Sequence, residues 1–201
     1  KPTAAVYIQP FFRHGKIKGD IDQGAFTDEL DYTYSQKSWQ SGLRNEFLLG
    51  KSKLTALYSY NKINRIYTDD SARSRNGYDI YSRGDYKGSE HFADAYLHLP
   101  LSQRLKLTGG IDYRSSKSDQ DYLSISNFGS YKTNYANDSL HQNQLGVYAA
   151  VNWNTTPGFN LELGGRVNVH SEYGSHFVFN INLKLHQKKY RAESGLFLVE
   201  G

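Results

Sequence analysis

Phe159-Asn160-Leu161-Glu162-Leu163-Gly164-Gly165-Arg166-Val167-Asn168-Val169, resumed after a short break by Phe177-Val178-Phe179-Asn180-Ile181-Asn182-Leu183-Lys184-Leu185, decides the fold class of this chain. Phe159, Leu161, Leu163, Gly165, Val167 and Val169 fall on one side of a two-residue period, and Asn160, Glu162, Gly164, Arg166 and Asn168 on the other. Phe177, Phe179, Ile181, Leu183 and Leu185 stand in the same way against Val178, Asn180, Asn182 and Lys184. Successive side chains of a strand point to opposite faces, so each set lines one face of a β-sheet. One face meets an apolar medium; the other carries charges and amides. Transmembrane β-barrels need long, two-faced strands of this kind. A water-soluble barrel or sandwich can also use them, and the rest of the chain has to distinguish the two.

Working outward, the same periodicity predicts strands over Thr3 to Arg13 (with Ala4, Val6, Ile8 and Phe12 together), Lys37 to Leu49, Leu54 to Tyr67, His91 to Leu99, Leu105 to Ser115 and His141 to Trp153. Tyr190 to Val199 reads as a last strand after the two already quoted. The connections alternate. Short ones are expected at Gly50-Lys51-Ser52-Lys53, Pro100 to Arg104, Thr155-Thr156-Pro157-Gly158 and around Gln187-Lys188. Long ones run over His14 to Gln36, Thr68 to Glu90 and Ser116 to Leu140, each rich in Asp, Ser, Asn, Gly and Tyr. Structureless loops of about 20 residues are uncommon in compact soluble domains. Outer-membrane barrels combine short periplasmic turns with long extracellular loops. The expectation is therefore an all-β, antiparallel up-and-down transmembrane-type β-barrel, or part of one, with about nine or ten strands. Residues 1–201 read as one barrel segment, with Gly50, Ser102, Pro157 and Gln187 on the periplasmic side. A further strand near Phe26 to Tyr34 would make the number even.

Composition agrees. Mean hydropathy is -0.69 and hydrophobic residues make up 38%, with no apolar run near the roughly 20 residues of a spanning helix. A barrel escapes such averages because its inner face and loops are polar. With 17 Tyr, 10 Phe and 18 Gly against four prolines, the chain favours strands, aromatic girdles and tight turns. Trp39, Phe47, Tyr58, Tyr60, Tyr67, Tyr96, Tyr113, Tyr148, Trp153 and Phe159 lie near predicted strand ends or on apolar faces, where a ring with a polar tip suits a membrane interface. The absence of cysteine removes disulfides, thiolate nucleophiles and cysteine-bound metal. Methionine is absent as well, and no signal peptide follows Lys1, so the start reads as processed or cut from something longer. The net charge of +4 is scattered singly, without a basic stripe, and nucleic acid is not an expected partner.

No catalytic constellation stands out: the seven histidines are dispersed, and no nucleophile elbow, phosphate loop or zinc-helix signature is present. The chain does not read as an enzyme. Asp69, Asp70, Asp79 and Asp85 gather around one predicted loop and are the candidate ligands for Ca2+, a hard cation that takes several oxygens at once. His170, Glu172 and His176 flank the shortest outer loop, where a transition metal could sit between the imidazoles. Tyr78, Tyr81, Tyr86, Tyr122, Tyr131 and Tyr135 are the candidate ligand-binding residues, with Tyr32 and Tyr34 also on the outer loops, since tyrosine offers rigid contact area and a hydrogen-bonding tip. The alternative for these tyrosines is packing of their own loops.

Ala25-Phe26-Thr27-Asp28 with Asp31-Tyr32, and Gln40-Ser41-Gly42-Leu43-Arg44, resemble the barrel of TonB-dependent outer-membrane receptors. So do Ile125-Ser126-Asn127-Phe128-Gly129, Asn160-Leu161-Glu162-Leu163-Gly164-Gly165-Arg166 and His170-Ser171-Glu172-Tyr173-Gly174-Ser175. The likeness is strongest to cobalamin-receptor-type proteins of Bacteroidetes. It covers Lys1 to Leu185, and Gly158 to Asn182 is its most specific part. The resemblance implies a large barrel in the outer membrane of a Gram-negative bacterium, in contact with lipid and filled by an N-terminal plug. It also implies capture of a scarce nutrient, such as a corrinoid, and release inward when TonB pulls the plug. The chain reads as a middle portion of a receptor barrel that starts after any plug or TonB-contacting segment, so TonB is expected to act only through a plug absent from this chain. An autonomous small outer-membrane barrel, acting as a pore or surface-binding protein, and a soluble ligand-binding barrel are the alternatives.

Overall fold

The structure, a computed structural model, describes residues 5–22, 31–70, 79–135, 140–156 and 159–185. They form one antiparallel sheet of nine strands: β1 (Ala5–Asp20), β2 (Tyr32–Leu49), β3 (Ser52–Asp70), β4 (Asp79–Pro100), β5 (Leu105–Ser126), β6 (Gly129–Tyr135), β7 (His141–Thr156), β8 (Phe159–His170) and β9 (Gly174–Leu185). Neighbours in sequence are neighbours in the sheet, except that β5 pairs with both β6 and β7. This is the expected up-and-down order. Among the described residues β1 and β9 are not joined, so the sheet is an open arc of barrel wall. The predicted strand at Tyr190 to Val199 lies outside the described residues, as does most of the segment Phe26 to Tyr34.

The short connections at Gly50-Lys51 and Pro100 to Arg104 stand where the sequence places them, while Pro157, Gly158 and the turn around Gln187-Lys188 lie outside the described residues. Leu49 pairs with Ser52, which leaves Gly50-Lys51 as the turn. At the bend before β5, Ser102 Oγ accepts hydrogen bonds from the backbone N–H groups of Arg104 and Leu105 (3.2 and 3.0 Å). At the opposite end, His170 pairs with Gly174 around Ser171-Glu172-Tyr173. Gly174 has φ +72°, a left-handed conformation that closes three-residue hairpins and that side-chain-bearing residues adopt at a cost.

The long connections are a correction. His14 to Gln36, Thr68 to Glu90 and Ser116 to Leu140 were expected as loops, yet β1, β2, β3, β4 and β5 continue far into them, and Gly129–Tyr135 folds back on β5 as an additional strand. β4 and β5 have 22 residues each, about 75 Å at ~3.4 Å per residue, where a tilted crossing takes about 9–11 residues. Beyond the apolar band neither face is greasy, so the two-residue hydrophobic rhythm vanishes while the backbone ladder runs on. Hydrogen bonds between strands, not burial, carry these extensions.

Register fixes which side chains share a face. Leu161 and Leu163 stand opposite Trp153 and Val151 on β7, and opposite Leu183 and Ile181 on β9. Across β5 and β4 the same face continues through Leu105, Leu107, Ile111 and Tyr113 to Leu99, Leu97, Ala95 and Ala93. It ends through Leu54 and Tyr58, then Phe47 and Leu43, at Val6, Ile8 and Pro10. These side chains are outward: Val147, Val167, Val169, Leu163 and Ile111 are all exposed. No apolar residue among those described is fully buried, whereas Thr55, Ser59, Asp112 and Asn168 are, at 1 to 7% exposure. The polarity of a soluble protein is inverted. Soluble monomers do not expose contiguous apolar surface on this scale, and a lipid-facing barrel wall does.

The band also has the right height. On β8 it runs from Phe159 to Val169, about 34 Å along the strand at ~3.4 Å per residue. At a strand tilt of about 40° that projects to roughly 26 Å, against an apolar band of about 25 Å in such barrels. Its upper limit descends along the pairing rows, from Phe12 on β1 to Phe177 on β9, as tilted strands require.

The other face is tied together by polar contacts. Arg166 donates to Asp112 (2.9 Å) and to Asn168 (2.6 Å), and lies 5.7 Å from the centre of the Tyr148 ring. Tyr148 donates to Asp94 (3.0 Å). Tyr96 and Tyr148, expected on an apolar face or at an interface, are thus on the polar face, directly flanking Gly110 in the register. Glu90 collects Asn61, Ser116 and Arg114. Arg166→Leu leaves the Asp112 carboxylate buried without its partner and is expected to cost about 1–3 kcal/mol; Asp112→Leu added to it should restore most of the loss, read by urea unfolding in lipid vesicles. In the same assay Leu163→Arg places a charge in the apolar band and should cost about 2–4 kcal/mol. Gln142→Arg, on the polar face, should cost under about 0.5 kcal/mol.

Candidate ligand-binding groove

On the polar face, beyond the membrane band at the end of the long hairpins, the register assembles rows of tyrosine and glycine. One row runs Gly19, Tyr34, Tyr67, Gly84, Tyr122; the next toward the membrane runs Gln36, Arg65, Tyr86, Gln120, Tyr135. The strand extensions beyond the band position them. Tyr34 and Tyr67 stack at 6.2 Å, Tyr67 meets Tyr86 edge-on at 5.7 Å, and Tyr122 lies 6.4 Å from Tyr131. Gly84 makes the arrangement possible: a Cβ there would come within 2.7 Å of the Tyr86 ring. Arg65, in the next row, donates twice to Gln36 Oε1 (3.0 and 2.8 Å) and once to the Tyr67 hydroxyl (3.5 Å).

Tyr32, Arg65, Tyr67, Tyr86 and Tyr122 line a groove of about 590 Å³. Burial, and then the charge of neighbouring Asp69, push the Tyr32 phenol above its usual pKa. It therefore stays a neutral hydrogen-bond donor beside the acidic residue. Aromatic faces, hydroxyls and one guanidinium suit a large, partly apolar ligand that carries hydrogen-bonding groups.

The sequence-derived candidates divide. Tyr86 and Tyr122 are in the groove, and Tyr131 borders it through Tyr122. Tyr135 shares their face on β6. Tyr81 stands opposite Ile125 and Asp70 on the outward face, away from the groove. Tyr78 lies outside the described residues. Tyr67 and Arg65 are the groove residues that sequence reasoning did not select; Tyr67 was read as an interfacial ring at a strand end. Counting in twos from Leu54, Ala56 and Tyr58 would have put residue 67 on the polar face.

The carboxylates of Asp69, Asp70 and Asp85 are not brought together. Asp69 lies on the polar face, and its neighbour Asp70 and Asp85 on the outward one. Asp70 pairs with Tyr81 and Asp85 with Ile66, four positions apart along the ladder, about 13 Å. Asp79 opens β4 opposite Ser126. Among the described residues no group of three His, Asp or Glu could hold a metal ion. His170 accepts from the Glu172 backbone N–H (3.1 Å) and lies against Tyr173, while His176 is 3.3 Å from the Asn168 amide. Calcium titration followed by thermal unfolding is therefore expected to leave the midpoint unchanged.

Strands longer than a bilayer crossing, apolar side chains outward, a polar network inward and an aromatic groove at one end define the wall of a transmembrane β-barrel. The model of the family "TonB dependent receptor-like, beta-barrel" matches residues 4–193, nearly the whole sequence, and the chain belongs to that family. Its members are transporters of the Gram-negative outer membrane that take up nutrients with the help of TonB. No curated protein matches the chain.

Proposed function

We propose that this chain is an arc of the outer-membrane barrel of a TonB-dependent receptor, and that its tyrosine groove helps to capture a large, scarce nutrient from outside the cell. The observation that carries this reading is the convergence of Tyr32, Tyr67, Tyr86 and Tyr122 on the polar face, beyond the apolar band and on the side of the long hairpins. In barrels of this kind that side is extracellular and the polar face lines the interior. Lipid tolerates no unpaired strand edges, and the edges of β1 and β9, unpaired among the described residues, favour an arc within a larger closed wall over an autonomous small barrel.

The sequence likeness to cobalamin-receptor-type proteins of Bacteroidetes supports a corrinoid as the nutrient. A corrinoid is broad, amide-rich and partly apolar, which suits stacked tyrosines and their hydroxyls. The polar contacts around Asp112, Arg166 and Glu90 would face a plug, through which TonB would act. The chain's own role is binding and passage, without bond-making chemistry.

Whole-cell binding of cobalamin to the complete receptor tests the proposal. Tyr86→Ala and Tyr122→Ala should each weaken binding by about 1–2 kcal/mol, roughly tenfold. Gly84→Val should do the same by displacing the Tyr86 ring, while Tyr113→Ala on the outward face should bind normally. Unchanged binding in all the groove variants would contradict the groove. No cobalamin binding by the parent receptor, with another large nutrient lost in the same variants, would keep the groove and replace the corrinoid.

A further inference from the structure

Lys16, Lys37, Lys62, Lys87 and Lys117 occupy the outward face of β1, β2, β3, β4 and β5 in turn, and all five are exposed. Each stands one or two outward positions beyond an aromatic residue at the edge of the apolar band: Phe12, Trp39, Tyr60, His91 and Tyr113. Trp39, Tyr60 and His91 are packed together, with ring centres 5.0 and 4.6 Å apart, and mark the interface. One outward position is about 7 Å of strand, so the ammonium groups ride about 5–10 Å above the apolar band at a ~40° tilt. That is the depth of the headgroup layer.

The register makes the lysines a continuous zigzag. Lys16 stands directly opposite Lys37. Lys62 is diagonal to both Lys37 and Lys87, and Lys117 is diagonal to Lys87. Like charges directly opposite in a sheet are destabilising, and diagonal neighbours at about 7–8 Å still interact. In the same two rows stands one carboxylate, Asp119, opposite Lys87, and Lys87 also pairs with Asp85 at 3.8 Å. At the other end of the outward face, Leu54, Leu99, Leu105, Trp153, Phe159 and Leu185 carry no charge.

We propose that this belt binds the phosphate groups of lipid in the extracellular leaflet, with phosphates seated between neighbouring lysines and acyl chains against the apolar band below. The proposal rests on the membrane orientation given above but not on the nutrient or the groove. An ammonium is a point-charge phosphate donor, and a phosphate between Lys16 and Lys37 turns their repulsion into a bridge. One-sidedness of the belt matches a leaflet-specific partner.

The test uses the protein purified from membranes in nonionic detergent, with bis-phosphorylated lipid A as probe and the same glycolipid stripped of phosphate as comparison, bound lipid being counted by native mass spectrometry. The parent protein should retain the phosphorylated form at least about tenfold better. Lys16→Gln/Lys37→Gln/Lys62→Gln should abolish that preference, and with no lipid present it should unfold at the same temperature as the parent or higher. Lys53→Gln/Lys106→Gln, on the polar face at the opposite end, should retain the preference. Equal retention of both glycolipids by the parent, or an undiminished preference in the triple variant, overturns the belt. A protein that stays folded and dispersed without detergent overturns the membrane orientation as well, and is told apart by that behaviour.

Discussion

In hydrocarbon, a backbone N–H or C=O without a partner costs several kcal/mol, and no water is present to supply one. Unbroken strand pairing answers that constraint, and the rest of this molecule follows from it. Continuous ladders between successive strands leave little freedom of register. Once register is set, the alternation of side chains assigns every residue a face. Leu163, Val151 and Ile181 are outward because Arg166, Tyr148 and Val178 are inward, and a slip of one residue would exchange them all.

The inward face then needs its own cohesion, since among the described residues no hydrophobic core supplies it. Arg166 with Asp112 and Asn168, Tyr148 with Asp94, and Glu90 with Ser116, Asn61 and Arg114 cross-link neighbouring strands through side chains. Farther out, the same face changes from ion pairs and amides to rings over glycines, and the groove forms there. Structure and recognition thus use one surface at different depths. The outward face is graded in the same manner, from aliphatic residues through Trp39, Tyr60 and His91 to lysines.

Much of this was legible in the sequence, for a physical reason. Within the apolar band, faces differ in solvent, so Phe159 to Val169 and Phe177 to Leu185 announce both strand and face. Outside the band both faces meet water, and the signal disappears although the ladder does not. Ser118 to Ser126 and Gly129 to Tyr135 are strands that no hydrophobic rhythm marks. The placement of the candidate residues follows the same rule. Treated as loop, residues 69, 70 and 85 look like one acidic cluster; treated as strand, Asp69 parts from Asp70 and Asp85. Tyr81 and Tyr86 differ by five positions and take opposite faces, and only the second reaches the groove. Pairing partners, which composition does not reveal, were the missing information.

The outward placement of the apolar face is the central claim, and accessibility along β8 tests it most directly. The chain has no cysteine to remove, so single cysteines at positions 160 to 169 can carry spin labels in protein reconstituted into lipid vesicles. Relaxation by lipid-soluble oxygen should peak at 161, 163, 167 and 169, with a water-soluble nickel chelate excluded there. Positions 160, 162, 164, 166 and 168 should show no oxygen peak. Equal access of the nickel chelate to both sets, or oxygen peaks at 160, 162, 166 and 168, would contradict the account.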